Sequence, residues 1–251
     1  MLTCSSGHCL LWSFTTHNNK SVIQNPDTGP NSPPRHSVVR TLSPRLAPFQ
    51  SMPRAVFPFP GGKGHLASWI TDHIPEHTCY IEVFGGAAGV LFNKPRSDVE
   101  IYNDRDRDLV QFFEVLRDRR EELVEWPDAV PYSRDLHDDW AGAFYNGYRP
   151  TDDTERAGQF FYLRFAQWGS KYDAPAGFAT SKVQDQSKTY KNKLDRLEEF
   201  ADRLKGVTIG ALDWTELIEK YDSDETVFYC DPPYPSTQDY YPVGGIDHER
   251  L

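Results

Sequence analysis

The stretch CYIEVFGGAAGV, residues 79–90, decides the fold because an apolar run passes directly into a glycine-rich turn. CYIEVF (79–84) predicts a buried strand, since aromatic and β-branched residues favour strands. The glycines let the backbone turn tightly and approach a ligand closely, and we expect a helix after them. Ligands of open α/β sheets bind at the carboxyl ends of the strands. The turn is therefore a candidate binding site, with a ligand-free tight turn as the alternative.

The pattern on either side of this stretch predicts an α/β fold. Apolar runs alternate with amphipathic helices, which favours a mostly parallel, Rossmann-like sheet with helices on both faces. Strands are expected at 79–84, 99–103, 207–214 and 226–231, and helices at 63–74, 108–126, 188–205 and 214–221. Residues 127–187 interrupt the alternation and contain one clear helical pattern, at 154–169, followed by a loop at 170–186.

The next strand ends in YNDRDRD, residues 102–108. Asp104 follows Glu82 at about the distance at which a doubly wound domain places a carboxylate that accepts hydrogen bonds from a ribose. The glycine turn and this acid together indicate a cofactor that contains a nucleoside. The alternative for Asp104 is a helix N-cap, and we expect Asp106 and Asp108 to do only that.

FPFPGGKGH, residues 57–65, superficially resembles a phosphate-binding loop. It lacks the upstream glycine and has His65 where that loop has Ser or Thr, which excludes a nucleotide triphosphatase. Lys63 could pair with a carboxylate and Phe59 could stack on a purine. The alternative is a helix start with a solvated lysine.

The apolar run TVFY is followed by CDPPYP, residues 230–235. Proline fixes its own φ and restricts the residue before it, so this turn holds a carboxylate and a carbonyl rigidly at the end of a strand. Asp231 and the carbonyl of Pro232 can accept both hydrogens of an aromatic amino group, and Tyr234 can stack on its ring. This geometry suits methylation of an exocyclic amine, which in duplex DNA requires base flipping.

The order of the motifs PGGK, EVFGGAAG, YNDRDRD and DPPY resembles that of the DNA adenine methyltransferases of the Dam type. The likeness covers about residues 55–242. It implies site-specific transfer of a methyl group from S-adenosylmethionine to the exocyclic amino group of adenine, by base flipping and in-line displacement. The implied catalytic residues are Asp231, Pro232 and Tyr234, and the implied cofactor-binding residues are Phe59, Lys63, Phe84, Gly85, Gly86, Asp104 and Asp231. Phe59 stands where a tryptophan is usual, and no residue of the insert matches those that read a target sequence.

The resemblance also divides the chain into four expected regions. Residues 1–53 are rich in Ser, Thr, Asn and Pro and predict a disordered or spurious extension, with Met52 as the true first residue. The cofactor-binding half is expected at 54–126, the mainly helical target-recognition insert at 127–187 and the catalytic half at 188–251. We expect three further strands after the DPPY turn and IDHERL (246–251) to begin a helix, so the chain is expected to be truncated and to leave an unpaired sheet edge beside TVFYCD.

Charge and cysteine content bear on the source and the cellular location of the protein. Residues 1–53 carry four Lys/Arg and one acid, whereas the remainder carries 23 basic and 36 acidic groups, and the pI is 5.3. Such acidity argues against nucleic-acid binding by bulk attraction, except in a high-salt cytoplasm, so we hypothesise a halophilic prokaryote or its virus as the source. The four cysteines, Cys4, Cys9, Cys79 and Cys230, lack zinc-like spacing and predict reduced thiols, no metal and a cytoplasmic protein.

Several alternatives remain open. Methylation of the cytosine amino group is one, although the first motif residue is then more often serine than the aspartate found at Asp231. RNA or a protein amide could also be the substrate, and the chain could be an inactive, truncated DNA-binding remnant. We expect a monomer without membrane contact whose partner is duplex DNA with a flipped adenine; a restriction endonuclease in the same system is a further candidate partner.

Overall fold

The computed structural model describes residues 8–11, 55–170, 172–183, 185–234, 241 and 246. All of them belong to one compact unit. The described strands form one parallel sheet in the order β1-β5-β2-β3-β4. They are β1 (His8–Leu11), β2 (Cys79–Glu82), β3 (Val99–Asn103), β4 (Val207–Gly210) and β5 (Thr226–Cys230).

Helices cover both faces of this sheet. They are α1 (Ala67–Asp72), α2 (Arg107–Asp118), α3 (Arg120–Asp128), α4 (Arg134–Tyr145), α5 (Asp153–Ala166), α6 (Gln186–Leu194), α7 (Leu197–Leu204) and α8 (Trp214–Tyr221), with a short 3-10 helix at Trp168–Ser170. Successive strand residues point to opposite faces. Ile81 and Phe228 therefore pack with Leu217 of α8, whereas Tyr80 and Tyr102 belong to the larger core on the other face. The predicted α/β class, with its parallel sheet, is confirmed.

Two predicted long helices are each broken in the structure. The helix expected at 108–126 leaves helical geometry at Arg119, where φ is −130° and ψ is 38°, and continues as α3. The break lets α3 pack on α5, where Trp126 lies so close to Gly158 that an added Cβ would be 2.2 Å from the indole. The helix expected at 188–205 is likewise divided into α6 and α7.

Other elements differ in extent from their predictions. The helix expected at 63–74 is confined to α1 (Ala67–Asp72), and the insert contains α4, which the sequence pattern does not indicate. The pattern is weak because α4 buries only His137 and Ala141. The helix predicted at 154–169 is present as α5 (Asp153–Ala166). The division into four regions stays a prediction.

The sequence predicts no strand within residues 1–53, and the structure differs at His8–Leu11. This segment forms β1 and pairs in parallel with β5, with Cys9 opposite Phe228. The expectation of an unpaired edge beside TVFYCD is therefore wrong. An exposed strand edge presents a row of free donors and acceptors, and a short apolar segment can satisfy them even without a strong strand pattern. The rest of the predicted N-terminal extension lies outside the described residues, as does the helix expected to begin at IDHERL, apart from Ile246.

Two of the four predicted thiols are described with their surroundings. Cys79 is half-buried and Cys230 is buried. None of the described helices has the length and apolar character that crossing a membrane requires.

Candidate active site

The carboxyl ends of β2, β3 and β5 meet at one edge of the sheet because the three strands are parallel neighbours. The loops that follow them enclose a pocket with an empty volume of about 880 Å³. Its walls include most of the residues predicted from the sequence: Phe59, Lys63, Phe84, Gly85, Gly86, Asp104 and Asp231. Pro232 and Tyr234 are not among the lining residues.

The glycine-rich turn after β2 forms one wall of this pocket. Gly85 donates its N–H to the carbonyl of Asn103 at 2.8 Å, and a Cβ at Gly85 would lie 2.2 Å from the ring of Tyr102. Gly86 has a φ of +50°, which residues other than glycine rarely adopt. Both glycines are thus required by the turn itself. The helix expected after the turn is absent, because the backbone there forms successive turns.

Glu82, at the end of β2, supports this turn from below. Its carboxylate accepts from the backbone N–H groups of Leu91 at 3.2 Å and of Val90 at 3.4 Å. Burial raises the pKa of Glu82 to about 8, although these two N–H groups act in the opposite direction. The side chain lines the pocket. No role for Glu82 follows from the sequence motifs.

Asp104 holds the glycine turn against the end of β3. Its Oδ2 accepts from the N–H of Gly86 and its Oδ1 accepts from the N–H of Asp106, both at 2.8 Å. Burial raises the pKa of Asp104 to about 6. The N-cap of α2 is Asp106, whose carboxylate accepts from Asp108 N–H at 2.8 Å. The structure therefore removes the helix-cap alternative for Asp104 and leaves its carboxylate facing the pocket.

The prediction that Asp106 and Asp108 only cap helices is wrong for both: Asp106 caps α2 but has a further partner, and Asp108 lies within α2 and is not a cap. Asp108 is an ion-pair partner of Arg149 at 2.6 Å and of Arg156 at 2.8 Å, both from the insert. These pairs lower the pKa of the Asp108 carboxyl against the effect of its burial. Asp106 accepts a hydrogen bond from the hydroxyl of Tyr172 in addition to capping α2. The sequence could not indicate these contacts, because the partners lie far along the chain, within the insert.

Asp231 follows β5 and lies within an ion pair. The ammonium of Lys63 is 2.5 Å from Asp231 Oδ2, and the two side chains are 12% and 13% exposed. Lys63 also donates to the carbonyl of Gly61 at 2.8 Å and lies 5.5 Å from the centre of the Tyr234 ring. Burial raises the pKa of the Asp231 carboxyl, and Lys63 opposes that rise. The structure thus brings the predicted residues of PGGK and DPPY into direct contact.

Aromatic side chains form the wall opposite the glycine turn. Phe59 lies between Tyr172 and Tyr241, with ring centroids 5.4 Å and 6.1 Å away. Its ring also lies over Gly86, where an added Cβ would be 3.1 Å from it. Tyr172 and Tyr241 are missing from the sequence-based list, because neither belongs to a recognisable motif.

The described part of the chain contains no group of three or more His, Cys, Asp or Glu side chains arranged to hold a metal ion. The ionisable groups of the pocket are Lys63, Glu82, Asp104, Arg105, Asp106 and Asp231, together with the phenols of Tyr172, Tyr229 and Tyr241. The arrangement can therefore accept hydrogen bonds from sugar hydroxyls and from an amino group, and it can pair with a carboxylate.

Comparison with known proteins identifies a family. The model of the D12 class N6 adenine-specific DNA methyltransferases matches residues 59–248. A DNA adenine methylase of Vibrio cholerae serotype O1 is 30% identical over 190 residues, covering 72% of this chain and 65% of that protein. The DNA adenine methylase of Escherichia coli strain K12 is 26% identical over 196 residues, again covering 72% of this chain and 65% of the relative. A DNA N-6-adenine-methyltransferase of Escherichia phage P1 is 24% identical over 210 residues, or 81% of this chain and 27% of that protein. The chain thus spans 65% of the length of the two bacterial relatives.

Proposed function

Because the chain belongs to the D12 class N6 adenine-specific DNA methyltransferase family, we propose that it transfers a methyl group from S-adenosylmethionine to the N6 amino group of adenine in DNA. One observation carries this proposal. Asp104 and Asp231 lie in a single pocket, after the parallel strands β3 and β5 that flank β2, and so on either side of the glycine turn. A methyltransferase needs such a pocket, because the methyl donor and the acceptors for the amino hydrogens must lie side by side.

The residues of the pocket fit S-adenosylmethionine. Phe59 offers a ring to the purine, and Lys63 offers an ammonium to the carboxylate. The Asp104 carboxylate accepts backbone hydrogen bonds from Gly86 and Asp106, with a further contribution from Arg105. A carboxylate has about four acceptor sites, so it can still accept from the ribose. When bound, this cofactor supplies a methyl group on a positively charged sulfur.

Asp231 and the carbonyl of Pro232 would hold the amino group of the target. Drawing both hydrogens towards acceptors localises the nitrogen lone pair and makes N6 a better nucleophile. The Asp231 carboxylate has enough acceptor sites to keep Lys63 and accept an amino hydrogen as well. Asp231 and the carbonyl of Pro232 would orient N6 towards the methyl group that the cofactor would supply, with the donor leaving as a neutral thioether, and the surplus proton on N6 would pass to Asp231 or to water.

Tyr234 would stack on the flipped base. Unpairing an adenine costs a few kcal/mol, and stacking on an aromatic ring recovers about 1–3 kcal/mol. Tyr234 lies beside the Lys63–Asp231 pair but outside the cofactor pocket. That position supports separate places for the base and for the donor.

Three exposed lysines offer positive charge to DNA: Lys182 near the end of the insert, and Lys188 and Lys191 on α6, in the region predicted as the catalytic half. None of the three makes an ion pair within the part of the chain that the structure describes. Many other basic side chains are neutralised, as Arg149 and Arg156 are by Asp108. We assign contacts with the phosphate backbone to these three lysines, because ionic contacts of this kind provide most non-specific affinity for DNA.

Four further proposals concern the setting. We propose a monomer, because one chain provides the whole pocket, and a cytoplasmic location, because the substrate is DNA. The halophilic source rests on the acidic composition and predicts activity that increases with salt. The restriction endonuclease partner rests on the family resemblance alone.

The test is methyl transfer from tritiated S-adenosylmethionine to unmethylated duplex DNA, followed by digestion to nucleosides. Label in N6-methyladenosine supports the proposal. Label in N4-methylcytosine, or transfer only to RNA or protein, would support one of the rival substrates. DNA binding without transfer, by a protein that also fails to bind the cofactor, would support the inactive remnant.

A further inference from the structure

Tyr172 lies in the insert and yet lines the same pocket as Asp104 and Asp231. Among the described residues of 127–187, it is the only one that does so. Its side chain is almost fully buried, with 1% of its surface exposed, and its ring centre is 5.4 Å from that of Phe59. The region that the family resemblance assigns to target recognition therefore provides part of the pocket wall.

The hydroxyl of Tyr172 forms a hydrogen bond with the loop that follows β3. It donates to the carboxylate of Asp106, which also accepts from Asp108 N–H and so begins α2. The backbone N–H of Asp106 in turn donates to Asp104 Oδ1 at 2.8 Å. Asp106 therefore connects Tyr172, through two hydrogen bonds, to the Asp104 carboxylate that we assign to the ribose.

Two buried charges hold the ring of Tyr172 in place. The guanidinium of Arg164, on α5, lies 4.3 Å from the centre of the ring, and its side chain is buried. Asp106 provides the opposite charge at the hydroxyl. Buried charges are costly unless they are compensated, and a cation over an aromatic face gains more when it is desolvated. The ring therefore has one favourable position, and displacing it would disturb both charges.

We propose that Tyr172 is a positioning residue for the cofactor: it keeps Phe59 and the Asp104–Asp106 turn in the arrangement that binds the purine and ribose. The proposal rests on the proposed function, since it takes S-adenosylmethionine as the ligand. It links the insert to the cofactor pocket, so that a change in the insert alters cofactor affinity, and by thermodynamic reciprocity the cofactor stabilises the insert.

The test compares Tyr172→Phe with a matched control, Tyr132→Phe. Tyr132 is also an insert tyrosine whose hydroxyl donates a buried hydrogen bond, to the carbonyl of Ala179 at 3.0 Å, but it does not line the pocket. Dissociation constants for S-adenosylmethionine and for adenosine are measured by calorimetry. We expect Tyr172→Phe to weaken both ligands by about tenfold, since a hydrogen bond to a charged group is lost. Tyr132→Phe is expected to bind both ligands as the wild type does.

Each outcome has a distinct meaning. A wild-type protein that binds neither ligand contradicts the proposed function, whatever Tyr172 does. Wild-type affinity in Tyr172→Phe, equal losses in both variants, or a loss for S-adenosylmethionine but not for adenosine would each overturn the inference. Should Tyr172→Phe fail to fold, hydrogen exchange of the wild type decides: adenosine must slow exchange of backbone amides in α5, and unchanged exchange there overturns the link.

Discussion

The affinity for S-adenosylmethionine should depend on pH through Asp104. Burial raises the pKa of this carboxyl to about 6 in the ligand-free protein. Above pH 7 it is ionised and can accept from the ribose. Below pH 6 it is protonated, so binding must release a proton, and the dissociation constant should rise by about tenfold per pH unit.

The loss of affinity expected on substituting Asp104 follows from the same contacts. A hydrogen bond to a charged acceptor contributes about 1.5–3 kcal/mol, so loss of two would cost about 3–6 kcal/mol. Asp104→Asn keeps one acceptor oxygen and can still accept from Gly86 or Asp106. We therefore expect its dissociation constant to increase by roughly 10- to 100-fold at pH 8, which corresponds to about 1.4–2.8 kcal/mol.

Calorimetric titration at pH 5, 6, 7 and 8 measures both effects. Asp213→Asn is the matched control, because Asp213 also lies in a loop after a strand of the sheet and accepts a backbone hydrogen bond, from Thr215 N–H at 3.0 Å, but does not line the pocket. The wild type and Asp213→Asn should show the same pH dependence, and Asp104→Asn should show almost none below pH 7. A wild-type affinity that is constant from pH 5 to 8, or an Asp104→Asn variant with wild-type affinity, would refute the assignment of Asp104 to the ribose.

The remaining predictions concern the catalytic turn, Glu82 and the DNA surface. Asp231→Ala should reduce methyl transfer by a factor of hundreds or more while the circular dichroism spectrum is unchanged; more than about a tenth of wild-type activity would contradict the amino-group mechanism. Tyr234→Ala should lower kcat/KM for DNA by an amount equivalent to about 1–3 kcal/mol, because stacking on the flipped base is lost. Tyr234→Phe keeps the ring and should lower kcat/KM only slightly. The pKa of Glu82 is about 8 in the folded protein, above its ordinary value. The free energy of unfolding of the wild type, measured by urea titration, should therefore fall relative to that of Glu82→Gln as pH rises from 5 to 9. An equal fall in both proteins would show that the pKa of Glu82 is not raised. The double variant Lys188→Glu, Lys191→Glu should bind duplex DNA more weakly, and its affinity should depend less steeply on salt concentration. An unchanged dependence on salt would show that these two lysines do not contact the DNA phosphates.

Two contacts in the fold show why local patterns were insufficient for some elements. The break at Arg119 depends on how Trp126 packs against Gly158, which lies on another helix. The strand β1 depends on the open edge of β5 and not on a strong strand pattern of its own. Both are decided by long-range packing, which propensity and periodicity do not contain.

The sequence by itself determined the α/β class, the order of the motifs and seven residues of the pocket wall. The physical reason is that parallel strands bring their carboxyl ends to one edge, so residues that follow buried strands must meet there. Only the tertiary structure decided that Lys63 pairs with Asp231, that Asp106 rather than Asp104 caps α2, and that Tyr172 reaches the pocket from the insert. Those contacts join segments far apart in the chain, and they form only when side chains are packed and buried charges find partners.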